Sequence, residues 1–208
     1  MLFDFGGVVT TSPFDGFASY EVEANLPPNT IRRINATDPD TNAWARFERR
    51  ELSLNKFCTL FEAEAREQGF TVDARRVIAG LDGELRPEMV EAIRRSSVVY
   101  RTALLTNNIV PLAEHEAGNP TDWLEMSAVV DLFEVVIESS LVGCRKPELA
   151  FYTIACERLG VAPEACVFLD DLGINLKPAR DMGMTTIKVG DPVLAIAELE
   201  AILGMALS

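Results

Sequence analysis

Met1-Leu2-Phe3-Asp4-Phe5-Gly6-Gly7-Val8-Val9-Thr10 opens the chain with a short apolar run that stops at a carboxylate, and two glycines follow. Val167-Phe168-Leu169-Asp170-Asp171 repeats the pattern far along the chain, with flexible residues after it. Each run reads as a short buried strand. If the two are neighbours in a parallel sheet, their carboxylates meet at one edge. Two or three carboxylates held there repel each other unless a hard cation lies between them. That geometry suits Mg²⁺ and a phosphorylated substrate.

Working outward, the second half of the chain alternates strand and helix signals. Thr102–Thr106 reads as a buried strand followed by a helical stretch, and Glu134–Glu138 as another strand. Pro147 suits the first residue of a helix running to about Leu159 and closed by Gly160. Cys166–Asp170 is a strand, Asn175–Met182 a short helix ended by Gly183, Thr185–Val189 the last strand and Pro192–Leu203 the last helix. Strands alternating with helices imply a parallel sheet of about five strands, covered on both faces.

The stretch between Phe14 and Ser97 differs, because its apolar residues recur at helical spacing. Ser53 is placed to cap a helix whose inner face is Phe57, Leu60, Phe61 and Ala65. Pro87 opens another, with Met89, Val90 and Ile93 inward, while Pro27-Pro28 and Asp38-Pro39 divide the remainder into short helices. The expected organisation is an α/β Rossmann-like core at 1–14 and 98–208 with an all-helical insertion at 15–97, placed at the mouth of the sheet. An insertion there is positioned to act as a lid; it would equally serve to thicken the core.

The 208 residues fit one domain with a modest insertion, and 48% apolar residues suffice for a core. A formal charge of −13 argues against a nucleic-acid-binding surface. It also repels anionic substrates, so a phosphate site needs local positive charge from a metal and a few Lys or Arg residues. Cys58, Cys144, Cys156 and Cys166 match neither a zinc pattern nor a disulfide scaffold, and read as buried free thiols. No apolar stretch is long enough for a bilayer, and no secretory signal is visible, so a cytoplasmic protein without a membrane partner is expected. Only three residues precede Asp4, which makes the first strand short, as a truncated chain or a late-assigned start would leave it.

Four segments fall at the carboxyl ends of predicted strands, where ligands bind in open α/β sheets. They are Asp4; Thr106-Asn107-Asn108; the loop Gly143-Cys144-Arg145-Lys146-Pro147; and Asp170-Asp171, followed by Asn175. This ordered set resembles the haloacid dehalogenase-like hydrolase superfamily, most of whose members are Mg²⁺-dependent phosphohydrolases. The stretch from Phe168 to Met184 is similar to the phosphatase domain of soluble epoxide hydrolases and their bacterial relatives. The resemblance covers nearly the whole chain, since many members carry a helical cap where 15–97 lies. It implies that Asp4 is a nucleophile forming an aspartyl-phosphate. It also implies that Asp4, the Gly6 carbonyl, Asp170 and Asp171 hold Mg²⁺, with Asp171 the favoured direct ligand. Thr106 and the Asn107 N–H would bind a phosphoryl oxygen, and Lys146 would neutralise the phosphoryl charge and orient Asp4. The implied substrate is a small phosphorylated metabolite, and the protein is expected as a monomer or homodimer.

Read singly, these residues have plainer accounts. Asp4 could cap a turn, Thr106 the next helix, and Asp170-Asp171 a helix start; Lys146 could be a solvated loop lysine. The resemblance also breaks at one position. Phosphatases of the superfamily usually carry a second Asp two residues after the nucleophile, to protonate the leaving group, and here that residue is Gly6. Hydrolysis of ordinary alkyl phosphates should then be slow. A phospho-ligand-binding or regulatory protein of the same fold stays open, as does a haloacid dehalogenase, although the latter leaves the acidic pair unexplained. Arg46, Arg49, Arg50 and Lys56 cluster in the insertion, where Asn42–Glu51 is the candidate specificity element and Arg49 a candidate substrate ligand. His115 reads as a surface residue, and Trp44 and Trp123 as packing residues.

Overall fold

The computed structural model describes residues 1–108 and 120–207, with the side chains of 120–123 outside that description. His115 and the side chain of Trp123 therefore lie outside the described residues. Five strands, β1 (Leu2–Phe3), β2 (Ala103–Thr106), β3 (Val135–Glu138), β4 (Val167–Asp170) and β5 (Thr185–Lys188), form one sheet in the order β3-β2-β1-β4-β5. Every pairing is parallel; Leu2 faces Ala103 on one side and Phe168 on the other. The chain thus builds outward from β1 in one direction and returns beside it through β4, which makes the β1–β4 boundary a topological switch point.

The described helices are α1 (Pro13–Glu23), α2 (Thr30–Ala36), α3 (Ala43–Glu48), α4 (Leu54–Glu67), α5 (Ala74–Ala79), α6 (Pro87–Ser97), α7 (Pro120–Val130), α8 (Ser139–Val142), α9 (Leu149–Leu159), α10 (Gly173–Asp181) and α11 (Pro192–Leu203). Side chains alternate across the sheet. Phe3, Leu104, Leu169 and Ile187 pack on one face with Met89 and Ile93 of α6 and Leu199 of α11. Leu2, Ala103, Leu105 and Phe168 pack on the other with Phe151 and Tyr152 of α9 and Leu176 of α10. The fold is an α/β Rossmann-like parallel sheet with helices on both faces.

Helices α1 to α5 share a third cluster of their own, built on Phe17, Ile31, Phe47, Phe57, Phe61 and Val77. The Ser53 hydroxyl accepts from Lys56 N at the start of α4, and Phe57, Phe61 and Ala65 form its fully buried stripe. Trp44 stands edge-on to Phe17 and Phe57 at 5.6 and 5.7 Å, as a packing residue does. Helix α6 follows these in sequence but buries its stripe against β1 and α11. All four cysteines are free and buried. Among the described residues no helix is long and apolar enough to cross a membrane.

Two local expectations are corrected. Pro147 does not begin a helix: Glu148 N donates to Arg145 O at 2.7 Å, closing a turn through a cis Lys146–Pro147 peptide, and α9 starts at Leu149. Helix α10 begins two residues ahead of Asn175, at Gly173, because the Leu172 carbonyl already accepts from Asn175 N and Leu176 N at 3.0 and 3.2 Å.

Candidate active site

Asp4 lies one residue beyond β1, and its backbone N–H donates to Leu169 O at 2.9 Å, which ties it to β4. Asp170 ends β4 itself. The two carboxylates are bridged by Lys146, whose Nζ lies 2.6 Å from Asp4 Oδ1 and 2.9 Å from Asp170 Oδ2. The third Nζ hydrogen goes to Leu105 O at 2.9 Å. All three donors of the ammonium are therefore used, and the side chain is 1% exposed. Asp170 also accepts from Leu172 N at 2.8 Å and from Asn175 Nδ2 at 3.1 Å, and the Tyr152 hydroxyl donates to Asn175 O at 2.7 Å.

Asp171 is the third acid. Oxygens of Asp4, Asp170 and Asp171 all come within 4.8 Å of one another. Gly7 makes this approach possible. Its φ is +81°, and a Cβ there would sit 2.4 Å from Asp171 Oδ2. Three carboxylates against one ammonium leave an excess of negative charge in a poorly solvated place. Burial, then the neighbouring Asp170 charge, push the Asp4 carboxyl well above the usual carboxylate range. The same two causes in the same order raise Asp171 to about 6. Burial opposes charge on Lys146, but Asp170 and Asp4 more than offset it and hold the ammonium above the ordinary lysine range.

A second ring of contacts fixes the lysine. Asn107 brackets the Lys146 backbone from both sides, its Oδ1 accepting from Lys146 N at 2.8 Å and its Nδ2 donating to Lys146 O at 2.9 Å. Glu48 of α3 is buried, accepts from Trp44 Nε1 at 2.9 Å, and pairs with Arg145 at 2.9 Å. Burial raises the Glu48 carboxyl, and Arg145 is the strongest influence against that rise. The adjacent Arg49 pairs with Glu148 at 3.3 Å. Glu48 at the end of α3 and Arg49 just after it thus grip the residues on either side of Lys146-Pro147 with opposite signs.

Among the site residues expected from sequence, Asp4, Lys146, Asp170 and Asp171 come together directly. Thr106 follows Leu105, the acceptor of Lys146, at the same sheet edge, and no hydrogen bond takes up its hydroxyl among the described residues. Gly6 lies between Asp4 and Gly7 with φ −68° and ψ 126°. Arg49 does not join the cluster: its guanidinium is bound to Glu51 at 2.6 Å, to Glu148, and to Asp40 O at 2.9 Å. The sequence reading gave no role to Glu48, to the Asn107 side chain or to Asn175 as a brace for Asp170. Only Asn175 left a signal, since five residues from Asp170 is one turn into the helix that follows.

Of the three acids, Asp171 borders a cavity of about 300 Å³ that runs from Gly7 towards Lys188. Another of about 240 Å³, lined by Asp38, Glu64 and Glu67 among others, lies in the helical layer and includes none of the site residues.

Comparison with known proteins agrees with this arrangement. The family profile for haloacid dehalogenase-like hydrolases matches residues 1–183. Acyl-CoA dehydrogenase family member 10 of Mus musculus is 35% identical over 213 residues, covering 100% of this chain and 19% of that protein. Bifunctional epoxide hydrolase 2 of Mus musculus is 40% identical over 121 residues, 57% of the chain and 21% of that protein. A phosphatase of Mycobacterium tuberculosis is 33% identical over 101 residues, 49% of the chain and 42% of that protein. The chain spans about a fifth of the length of the first two. A haloacid dehalogenase-type hydrolase of Bacillus subtilis, bound to magnesium, shares the fold with a TM-score of 0.65 at 18% identity, over 98% of this chain and 97% of that one. An enzyme of Bacteroides thetaiotaomicron, in complex with magnesium and inorganic phosphate, does so with a TM-score of 0.57 at 20% identity, over 91% and 94%. With a sheet-edge aspartate, a bridging lysine, paired acids and phosphatases among its relatives, the chain belongs to the haloacid dehalogenase-like hydrolase family.

Proposed function

We propose that the chain is a Mg²⁺-dependent phosphomonoester hydrolase, acting on a small phosphorylated metabolite through an aspartyl-phosphate on Asp4. The observation that carries this reading is the convergence of three carboxylates within 4.8 Å around a single buried lysine. The donor set fits the ion. It offers only oxygen ligands, and three acids less one ammonium leave two negative charges for a divalent cation to balance. Asp4, Asp171 and the Gly6 carbonyl would hold it. Asp170, already hydrogen-bonded by Lys146, Leu172 N and Asn175, would contribute directly or through water. When bound, Mg²⁺ would supply charge neutralisation at the phosphoryl oxygens.

The chain's own groups do the rest. An Asp4 carboxylate oxygen attacks phosphorus in line, and the bond from phosphorus to the leaving oxygen breaks as the new one forms. Lys146 orients the carboxylate and offsets the phosphoryl charge, while the Thr106 hydroxyl and the Asn107 N–H donate to phosphoryl oxygens. Gly6 has no proton to give, so the leaving oxygen takes one from water or from the substrate itself. Water then attacks the phosphorus, the bond to Asp4 breaks, and inorganic phosphate departs with the carboxylate restored. Helices α1 to α5, from Pro13 to Ala79, act as the cap over this site, and Arg49 braces the lysine loop through Glu148.

Gly6 favours a second reading, a phospho-ligand-binding or regulatory protein of the same fold. One assay separates them: aryl phosphate turnover with and without Mg²⁺, on the parent and on Asp4→Asn. Turnover that needs the metal and vanishes with the substitution supports the enzyme. No turnover with retained binding of a phosphorylated ligand supports the second reading, and metal-free halide release from chloropropionate would point instead to a dehalogenase.

A further inference from the structure

We infer that the cavity beside Asp171 receives a second anionic group of the substrate, so that the preferred substrate is a phosphate ester carrying a further carboxylate or phosphate. This rests on the phosphatase reading for the ester half and goes beyond it for the remainder. The cavity is lined by Arg32, Arg86 and Lys188, with Phe14, Gly7 and Asp171. Three cations around one acid stand out in a chain of 32 acidic and 19 basic residues. They come from separate elements: Arg32 from α2, Arg86 from the position before α6, and Lys188 from the end of β5.

Their freedom from carboxylate partners keeps them available to a ligand. Among the described residues, Arg46, Arg49, Arg76, Arg94, Arg95, Arg101 and Arg145 each pair with a carboxylate. Arg32, Arg86 and Lys188 have no such pair among the described residues, a state they share with the exposed Arg33, Arg66, Arg158 and Arg180; what sets the three apart is that they line one cavity. Arg32 is instead held 4.3 Å over the Phe14 ring, which steadies the guanidinium while leaving its edge for an anion. Asp171 belongs both to this cavity and to the acid cluster, which sets the cavity beside the cluster, so the proposal places the ester phosphate at Asp4 and the second anion beyond Asp171. At about 300 Å³ the space suits a short acid and sits at the lower bound for ligand pockets.

The test compares propyl phosphate with two chain-matched probes, phosphonooxypropionate and trimethylene bisphosphate. We expect kcat/KM for at least one bis-anion to exceed that for propyl phosphate by about tenfold, and the preference to shrink with added salt because the cations are partly solvated. Whichever probe wins tells carboxylate from phosphate. Lys188→Gln and Arg86→Gln should each cut the preference several-fold, with Arg86→Lys retaining most of it; the exposed Lys188 covers the case in which Arg86→Gln fails to fold. Equal turnover of all three probes, or a preference untouched by these substitutions, would overturn the inference while the phosphatase reading stood. Should no phosphate ester be turned over, calorimetry on Asp4→Asn with Mg²⁺ decides separately. Bis-anion binding weakened by Lys188→Gln supports the cavity, and its absence overturns it.

Discussion

Restoring a proton donor at position 6 is the sharpest perturbation available. Gly6 has φ −68° and ψ 126°, a conformation open to any residue, so Gly6→Asp carries no backbone strain. A Cβ there would stand 3.0 Å from Pro13 Cγ and 3.2 Å from Cδ, so the ring at the head of α1 must yield by a few tenths of an ångström. Crowding of that kind costs about 1 kcal/mol or somewhat more. A fourth carboxylate beside Asp4, Asp170 and Asp171 would have its own pKa raised by theirs, which keeps it protonated and able to donate. General acid catalysis is worth about 10²–10⁴ in rate, or roughly 3–5 kcal/mol of barrier, while the packing cost falls on the stability of the fold. The assay is kcat/KM for ethyl phosphate and for a nitrophenyl phosphate, with saturating Mg²⁺. Alkyl turnover should rise at least about a hundredfold and aryl turnover by less than about tenfold, because a good leaving group needs no proton. Gly6→Asn controls for shape and should give neither gain. A folded Gly6→Asp protein whose alkyl-to-aryl ratio equals the parent's would refute the argument that the missing proton limits the reaction.

Three further outcomes follow from the same geometry. Lys146→Met strands two buried carboxylates, so it should lower phosphatase activity by at least about 10³ and metal-free stability by about 3–5 kcal/mol, read by denaturant titration; a near-neutral effect would contradict the bridging role. Asp171 has its pKa raised from an ordinary 3.8 to about 6. Its contribution to metal-free stability is therefore present below the ordinary value and lost as pH rises through about 6. The rise in melting temperature produced by Mg²⁺ should accordingly grow between about pH 5 and pH 8, and a shift independent of pH would count against the acid cluster as the metal's seat. For Glu48→Gln and Arg145→Gln, a double-mutant cycle on stability should return a coupling above about 1 kcal/mol, and strict additivity would deny the half-buried pair any weight.

The sheet was legible because its strands are short apolar runs ending in polar residues, and because Gly160, which the sequence marks as a helix end, closes α9 in the left-handed region. The capped stripe of α4 and the Pro-initiated α6 were equally plain, since period and cap agree there. The acids could be named because they stand at the ends of β1 and β4, and the lysine because its loop follows β3 and the short α8. What escaped was contact across sequence. The Asn107–Lys146 bracket spans 39 residues, and nothing in either segment announces the other. The Glu48–Arg145 pair depends on how the helical layer sits on the sheet, which no local pattern encodes. Pro147 misled because the same residue type serves both a helix start and a turn, and the choice was made by the tight turn that aims Lys146 inward.

Glu48 at the end of α3 and Arg49 just beyond it grip the lysine loop with alternating charge, which disfavours misalignment. Glu48 meets Arg145 while Arg49 meets Glu148. A slide of α3 by a single residue would bring guanidinium towards guanidinium, so intermediate placements are penalised on both sides at once. Lys146 sits within the gripped segment and spans Asp4 and Asp170. Lys146 is thereby indexed to the helical layer: with the layer docked, both clasps hold it to one position.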